Sequence, residues 1–143
     1  MVRFASTVIY VADVPEAMRF YTEAFGFEIS FLDSDVQVSG RIEGMRYQFG
    51  ELSMPGGKVQ FGTPALGALL MPGFPPSAQS SAVELAFYTN DVEAGFRSAI
   101  AAGAEALRPP EKMPWGQTAA YLRSPDGTYI AVCTPPAEGG TDA

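Results

Sequence analysis

Hydrophobic and polar positions along this chain fall into short alternating runs, broken twice by a helical stripe. Residues 4–11 are rich in β-branched and aromatic types and predict a strand. Alternation sends Thr7, Ile9 and Val11 to one face and Ser6, Val8 and Tyr10 to the other. Asp13 is a good N-cap, and Pro15 suits a first helical turn, where its missing N–H costs nothing. Val14, Met18, Tyr21 and Phe25 then recur at helical spacing, and Gly26 closes the helix. Residues 27–32 predict a second strand, 33–44 a loop or irregular strand, and 45–52 a third strand. Pro55-Gly56-Gly57 marks a turn, and 58–63 a fourth strand.

The same order then returns. Residues 82–88 predict a strand, Asp91 caps a helix carrying Val92, Phe96 and Ile100, and Gly103 ends it. A short strand at 104–108 is expected to stop at Pro109-Pro110. Strands at 117–123 and 129–134 flank Ser124-Pro125-Asp126-Gly127, a β-turn sequence. Thus TVIYVADVPEAMRFYTEAFGFEISF and AVELAFYTNDVEAGFRSAIAAGAEAL read as two copies of one unit. The expected fold is α+β: two βαβββ modules, about 4–63 and 82–134, in one domain spanning 1–134. The stretch 64–81 reads as a Pro/Gly-rich linker. It is too apolar (Leu66, Leu69, Leu70, Met71, Phe74) to be wholly solvated, so part of it should pack on the domain. Residues 135–143 read as a disordered tail. With one helix per module, each sheet should keep one face free, and two such half-sheets can curl into a cup that suits a small ligand.

Composition narrows the chemistry. At 143 residues and 47% hydrophobic, this is an ordinary globular chain. There is no run of 18 apolar residues, so no transmembrane helix is expected. The N-terminal stretch lacks a small-residue cleavage site and reads as a strand, which points to the cytoplasm. The net charge of −7 argues against nucleic acid and favours cationic small molecules or simple solubility. Cys133 stands alone, so no internal disulfide forms, and its strand neighbours suggest a structural thiol. The chain holds no histidine, which removes the usual base for a Ser or Cys nucleophile and the commonest metal ligand.

VADVPEAMRFYTEAFGF, FYTNDVEAGF, PWGQ and AAYLRSPDGTYIAV together resemble the glyoxalase / bleomycin-resistance / extradiol dioxygenase (vicinal oxygen chelate) superfamily, over nearly the whole chain. The resemblance implies a curved mixed sheet and, in many members, a metal held by matching strands of the two copies. Carried onto this sequence, the ligand positions fall on Ser6, a residue near Gln60, Glu84 and Ala131. Such a set is too poor for a divalent metal, which takes three or more protein ligands. The expected cofactor is therefore none, and the metal ligands none. The metal-free members implied by the resemblance are antibiotic-binding resistance proteins, small, acidic and homodimeric, that sequester a planar or cationic drug.

The candidate ligand contacts are Glu84, Trp115, Tyr121, Tyr10, Tyr47 and Ser6. Glu84 is expected on the free face, either touching a ligand or paired with Arg123 or Arg46. Trp115, between Pro114 and Gly116, suits stacking on a planar ligand or a partner chain, or plugs the core. Tyr121 matches a substrate-side tyrosine of the dioxygenases, or is a half-buried strand residue. Tyr10, Tyr47, Phe49 and Phe61 divide between free face and core. The first expectation is a metal-independent small-molecule-binding protein acting as a homodimer, without nucleic-acid or membrane partners. The alternative is a lyase, isomerase or dioxygenase using Glu84 with an unidentified metal arrangement. A third is a structural or regulatory subunit.

Overall fold

A computed structural model describes residues 1, 3–76 and 83–136, arranged in two compact units. The first is Met1–Thr22 with Gly26–Ser80, and the second is Glu23–Phe25 with Ser81–Ala143. The expected tail beyond residue 136, and the end of the linker at 77–82, lie outside the described residues.

The repeat is real at the level of topology. In the first unit β1 (Thr7–Tyr10), β2 (Glu28–Asp33), β3 (Phe49–Met54) and β4 (Gly57–Gly62) form a four-stranded sheet in the order β1-β4-β3-β2. In the second, β5 (Glu84–Tyr88), β6 (Glu105–Lys112), β7 (Thr118–Arg123) and β8 (Tyr129–Cys133) give β5-β8-β7-β6, the same order. In each sheet the first pair is parallel and the others antiparallel. The expected α+β fold of two repeated modules is what the structure has, each module contributing one four-stranded mixed sheet.

The helices begin where their caps dictate. Asp13 accepts a hydrogen bond from the Glu16 N–H at 3.1 Å to start α1 (Val14–Phe25), and Asp91 accepts from Ala94 N–H at 3.0 Å to start its counterpart, Val92–Ala101. Gly26 ends α1 at φ +73°, a conformation that side chains other than glycine's resist. Asp13→Ala and Asp91→Ala are each expected to cost about 1 kcal/mol in urea unfolding, because each leaves a helix-end N–H unsatisfied.

One face of the first sheet is core. Ile9, Leu52, Val59 and Phe61 are buried there, and α1 lies against it through Val14, Met18 and Tyr21. In the second unit the other helix packs on β6, β7 and β8, burying Leu122, Ile130 and Val132. The period-2 alternation read from the sequence therefore divides inner from outer residues correctly in β1: Ile9 inside, Val8 and Tyr10 half-open.

Three readings are corrected. The linker contains a helix, α2 (Pro64–Leu70), so the Val92–Ala101 helix is α3. Pro64 occupies its first turn, and Tyr47, Ala65 and Leu66 form a small buried cluster that Val36, Val38, Phe49 and Leu69 pack against. Strand β6 does not stop at Pro109-Pro110 but runs to Lys112. It is an edge strand, and its register shifts between Arg108 and Glu111, so the prolines occur where no ladder N–H is needed. Strand β3 starts at Phe49 rather than residue 45, because the preceding backbone bonds elsewhere. Arg46 C=O accepts from Thr63 Oγ1 at 2.6 Å, and Gln48 N–H donates back to that oxygen at 3.0 Å.

Candidate functional site

The outer face of the first sheet divides into two halves. One is polar and is built from β2, β3, β4 and the residue that precedes β1. Just before β1, Ser6 Oγ donates to Gln60 Oε1 at 2.7 Å; Gln60 sits in β4. Gln60 Nε2 donates to Glu51 Oε1, in β3, at 2.8 Å. Ser30 Oγ donates to Glu51 Oε2 at 2.7 Å, and Lys58 Nζ lies 3.5 Å from Glu51 Oε1. Ser30 reaches Glu51 because the β2–β3 register shifts between Ile29 and Phe31, and such a bulge re-aims the extra side chain. The Ser30 and Gln60 hydrogen bonds, more than the Lys58 charge, hold the Glu51 carboxyl below its ordinary value. Ser30→Ala is expected to raise the Glu51 pKa, read by carboxyl carbon shifts across a pH titration; no movement would refute the assignment.

The other half is aromatic. Tyr10, Gly62 and Phe49 lie in one row across β1, β4 and β3. A side chain at Gly62 would sit 3.3 Å from the Tyr10 ring and 3.6 Å from that of Phe49, so glycine lets both rings close over the strand; Gly62 is buried, and α2 packs on Tyr10, where a side chain at Gly67 would lie 2.8 Å from its ring. Phe74 stacks against Tyr10 with ring centroids 4.6 Å apart, and Phe31 lies 6.5 Å from Phe49. Burial raises the Tyr10 pKa, so its phenol stays protonated.

In the second unit the equivalents of Gln60 and Glu51 carry neither amide nor carboxylate. The register makes this equivalence explicit. Val8, two residues after Ser6, pairs with Gln60, while Ala86, two after Glu84, pairs with Ala131. Gln60 and Ala131 are thus counterparts, as are Glu51 and Tyr121, which pair with them on the next strand. Ala131 is 4% exposed and carries no donor atom. Glu84 is exposed at the start of β5, and no cation pairs with it among the described residues. Of its two expected partners, Arg46 pairs with Asp13 at 3.1 Å and Arg123 lies over the Tyr129 ring. Tyr121 is half-buried in mid-strand on the outer face. Trp115 is 65% exposed at the tip of the β6–β7 connection, where Gly116 N–H bonds Met113 C=O at 2.9 Å. Burial first, then the Glu84 charge, pushes the Cys133 thiol up, so it is not a thiolate at neutral pH.

Of the candidates in the first unit, Ser6 and Tyr10 lie on its outer face. Tyr47 lies in the α2 cluster at 2% exposure, its hydroxyl accepting from Ile42 N–H at 2.9 Å. Glu51, Ser30 and Phe74 were missed. For Glu51 a signal existed: alternation through Phe49-Gly50-Glu51-Leu52 puts it beside Phe49, away from Leu52.

The positions that would hold a metal in the resembled family fit one poorly here. Ser6 and Gln60 are bonded to each other, Ala131 offers nothing, and no group of three or more acidic or cysteine side chains forms a cation site among the described residues. No helix among them is long and apolar enough to cross a membrane.

Comparison with known proteins places the fold. No curated protein matches the chain. Among solved structures, a glyoxalase-related enzyme from Fulvimarina pelagi is similar with a TM-score of 0.71, at 20% identity over 99% of this chain and 96% of that one. A member of the glyoxalase/bleomycin resistance protein/dioxygenase superfamily from Sphaerobacter thermophilus is 26% identical, with a TM-score of 0.63 over 94% of this chain and 98% of that one. A lactoylglutathione lyase from Agrobacterium tumefaciens is 17% identical, with a TM-score of 0.66 over 98% of each chain. Residues 3–132 match the family model of the Glyoxalase/Bleomycin resistance protein/Dioxygenase superfamily, and the chain belongs to that superfamily.

Proposed function

We propose that this chain binds and sequesters a small antibiotic-like molecule, aromatic or cationic, without a metal, and that the outer face of its first sheet takes the ligand. The observation that carries this reading is the juxtaposition on that face. Half-buried Tyr10 and Phe49 meet over Gly62, and an ionised Glu51 lies one pleat away. An aromatic body suits the first and a cationic head the second. The acidic chain adds a favourable long-range field for such a ligand. In the second unit, Glu84 is exposed and paired with no described cation, and it is a candidate ligand contact of that unit in its own right. Glu84→Gln should weaken cationic ligands and spare neutral ones; equal loss for both would remove it from the binding role.

The first test is elemental analysis before and after incubation with Ni, Zn, Mn and Fe(II). The expected result is no stoichiometric metal, with thermal stabilisation by aromatic cations from a compound panel. About one metal per chain, held tightly, would overturn the metal-free reading and bring forward a lyase, isomerase or dioxygenase. The same reading makes the protein a cytoplasmic homodimer; exposed Ile29 and Leu32 on edge strand β2 support association, and light scattering should give twice the chain mass.

A further inference from the structure

The hydrogen bonds on this outer face run in one direction, and elementary chemistry forces that direction. An ionised carboxylate can only accept, so Gln60 must turn its NH2 group to Glu51 and its carbonyl away. The carbonyl then faces Ser6 Oγ at 2.7 Å and has no proton to give. Ser6 must therefore donate, and its remaining capacity is its lone pairs. Flipping Gln60 would set its carbonyl against the Glu51 carboxylate, which Ser30 and Lys58 help keep ionised. A serine is ordinarily ambivalent, donor or acceptor by rotation about one bond. Here Glu51, acting through Gln60, removes the choice.

We propose that Ser6, with Gln60 and Glu51 as positioning residues, makes this face select ligands whose head group donates hydrogen bonds, such as amines, amidines and hydroxyls, over carboxylates, ketones and ethers. This rests on the small-molecule reading above. An acceptor head placed at Ser6 would meet lone pairs and lose its water without a replacement bond there, because the donors of the row, the second Gln60 N–H and Lys58, lie on its Glu51 side; an unreplaced bond is the strong form of discrimination. A ring attached to that head lies over Val8, on the side toward Tyr10 and Phe49. Lys58 is the cation beside the row; it is tied to Glu51 and 44% exposed, so the experiment checks it separately.

The test is an NMR titration of the full chain, following the Ser6, Glu51 and Gln60 amides and the Gln60 side-chain NH2. Two ligand pairs are used. Benzamidine and benzoate share a ring but oppose donor and acceptor heads. Benzyl alcohol and benzyl methyl ether do so without charge. Each donor compound should bind about five- to tenfold tighter than its partner, the worth of one hydrogen bond. Ser6→Ala should abolish the preference in the neutral pair and shrink it in the charged pair. Glu51→Gln frees Gln60 to flip, so it should increase binding of the ether, a gain that general loosening would not produce. Lys58→Met should leave both preferences in place. Equal binding of alcohol and ether, or a preference that survives Ser6→Ala, overturns the selectivity while leaving the small-molecule reading intact. Tighter binding of benzoate that Lys58→Met abolishes assigns the head-group site to Lys58 and also overturns it. No shift at these residues with any of the four compounds overturns the selectivity and the reading of this face together.

Discussion

Phe61→Ala is expected to lower the unfolding free energy by about 3–5 kcal/mol, the usual cost of emptying a fully buried phenylalanine site. Phe61 is 0% exposed, stands one residue before the end of β4, and lies with its ring centroid 5.4 Å from that of Tyr21 on α1. Its loss opens a cavity where helix meets sheet, and the neighbouring Ile9, Leu52 and Met18 are themselves buried and cannot collapse freely. For a protein whose whole stability is about 5–15 kcal/mol, this is a large share. The melting temperature should fall on the order of 10 °C. Phe61→Leu, which keeps most of the volume, should cost under about 1.5 kcal/mol. Because Phe61 and Gln60 are adjacent in one strand but point to opposite faces, Gln60→Ala should cost far less in stability while disrupting the outer hydrogen-bond row. A loss below about 1.5 kcal/mol for Phe61→Ala in urea titration would mean that α1 does not depend on this contact.

The parts of the fold legible in the sequence are those set by neighbours in the chain. Asp13 and Asp91 announce their helices because capping is a contact over three residues, and Gly26 ends α1 for an equally local reason. Helix α2 escaped because its seven residues are too few for a clear period and include Gly67 in the middle. It exists because Tyr47 and Leu66 pack it down, a contact that only the folded unit supplies. The reach of β6 through Pro109-Pro110 depended on that strand being an edge, and edge status is a property of the sheet.

The site followed the same rule. Ser6, and a position near Gln60, were reached by carrying the resembled family's ligand positions onto the sequence; the repeat itself shows that Ser6 lies as far before Asp13 as Glu84 lies before Asp91. Glu51 was not singled out, because its meaning comes from Ser30, Gln60 and Lys58 on the two neighbouring strands. The two modules preserved their frame and diverged in their outer rows. Where the first presents Val8, Gln60 and Glu51, the second presents Ala86, Ala131 and Tyr121. Inner residues are held by packing against a helix, so both copies keep them apolar. Outer residues are free of that demand, and there the copies differ in chemistry.

A close helix–sheet approach at Gly50 gives the other large effect. A Cβ added at Gly50 would fall 2.2 Å from Met18 Sδ and 3.1 Å from Val14 Cγ1. Gly50→Ala is therefore expected to cost about 1–3 kcal/mol, as overpacking does. The methionine can swing aside, but Val14 is β-branched and stiff, and both residues are fully buried with no space to enter. Met18→Ala alone should cost about 2–5 kcal/mol through the cavity it leaves. The double variant should cost less than the sum of the two by about 1–2 kcal/mol, since the new methyl group enters space the methionine has vacated. A double-mutant cycle measured by urea unfolding decides this. Additivity within about 0.5 kcal/mol would show that the two positions do not share one space. A glycine in mid-strand would then be explained by something other than the α1 contact. The cycle bears on function through geometry: Gly50 immediately precedes Glu51, so α1 seated against Gly50 fixes the strand from which Glu51 faces the outer row.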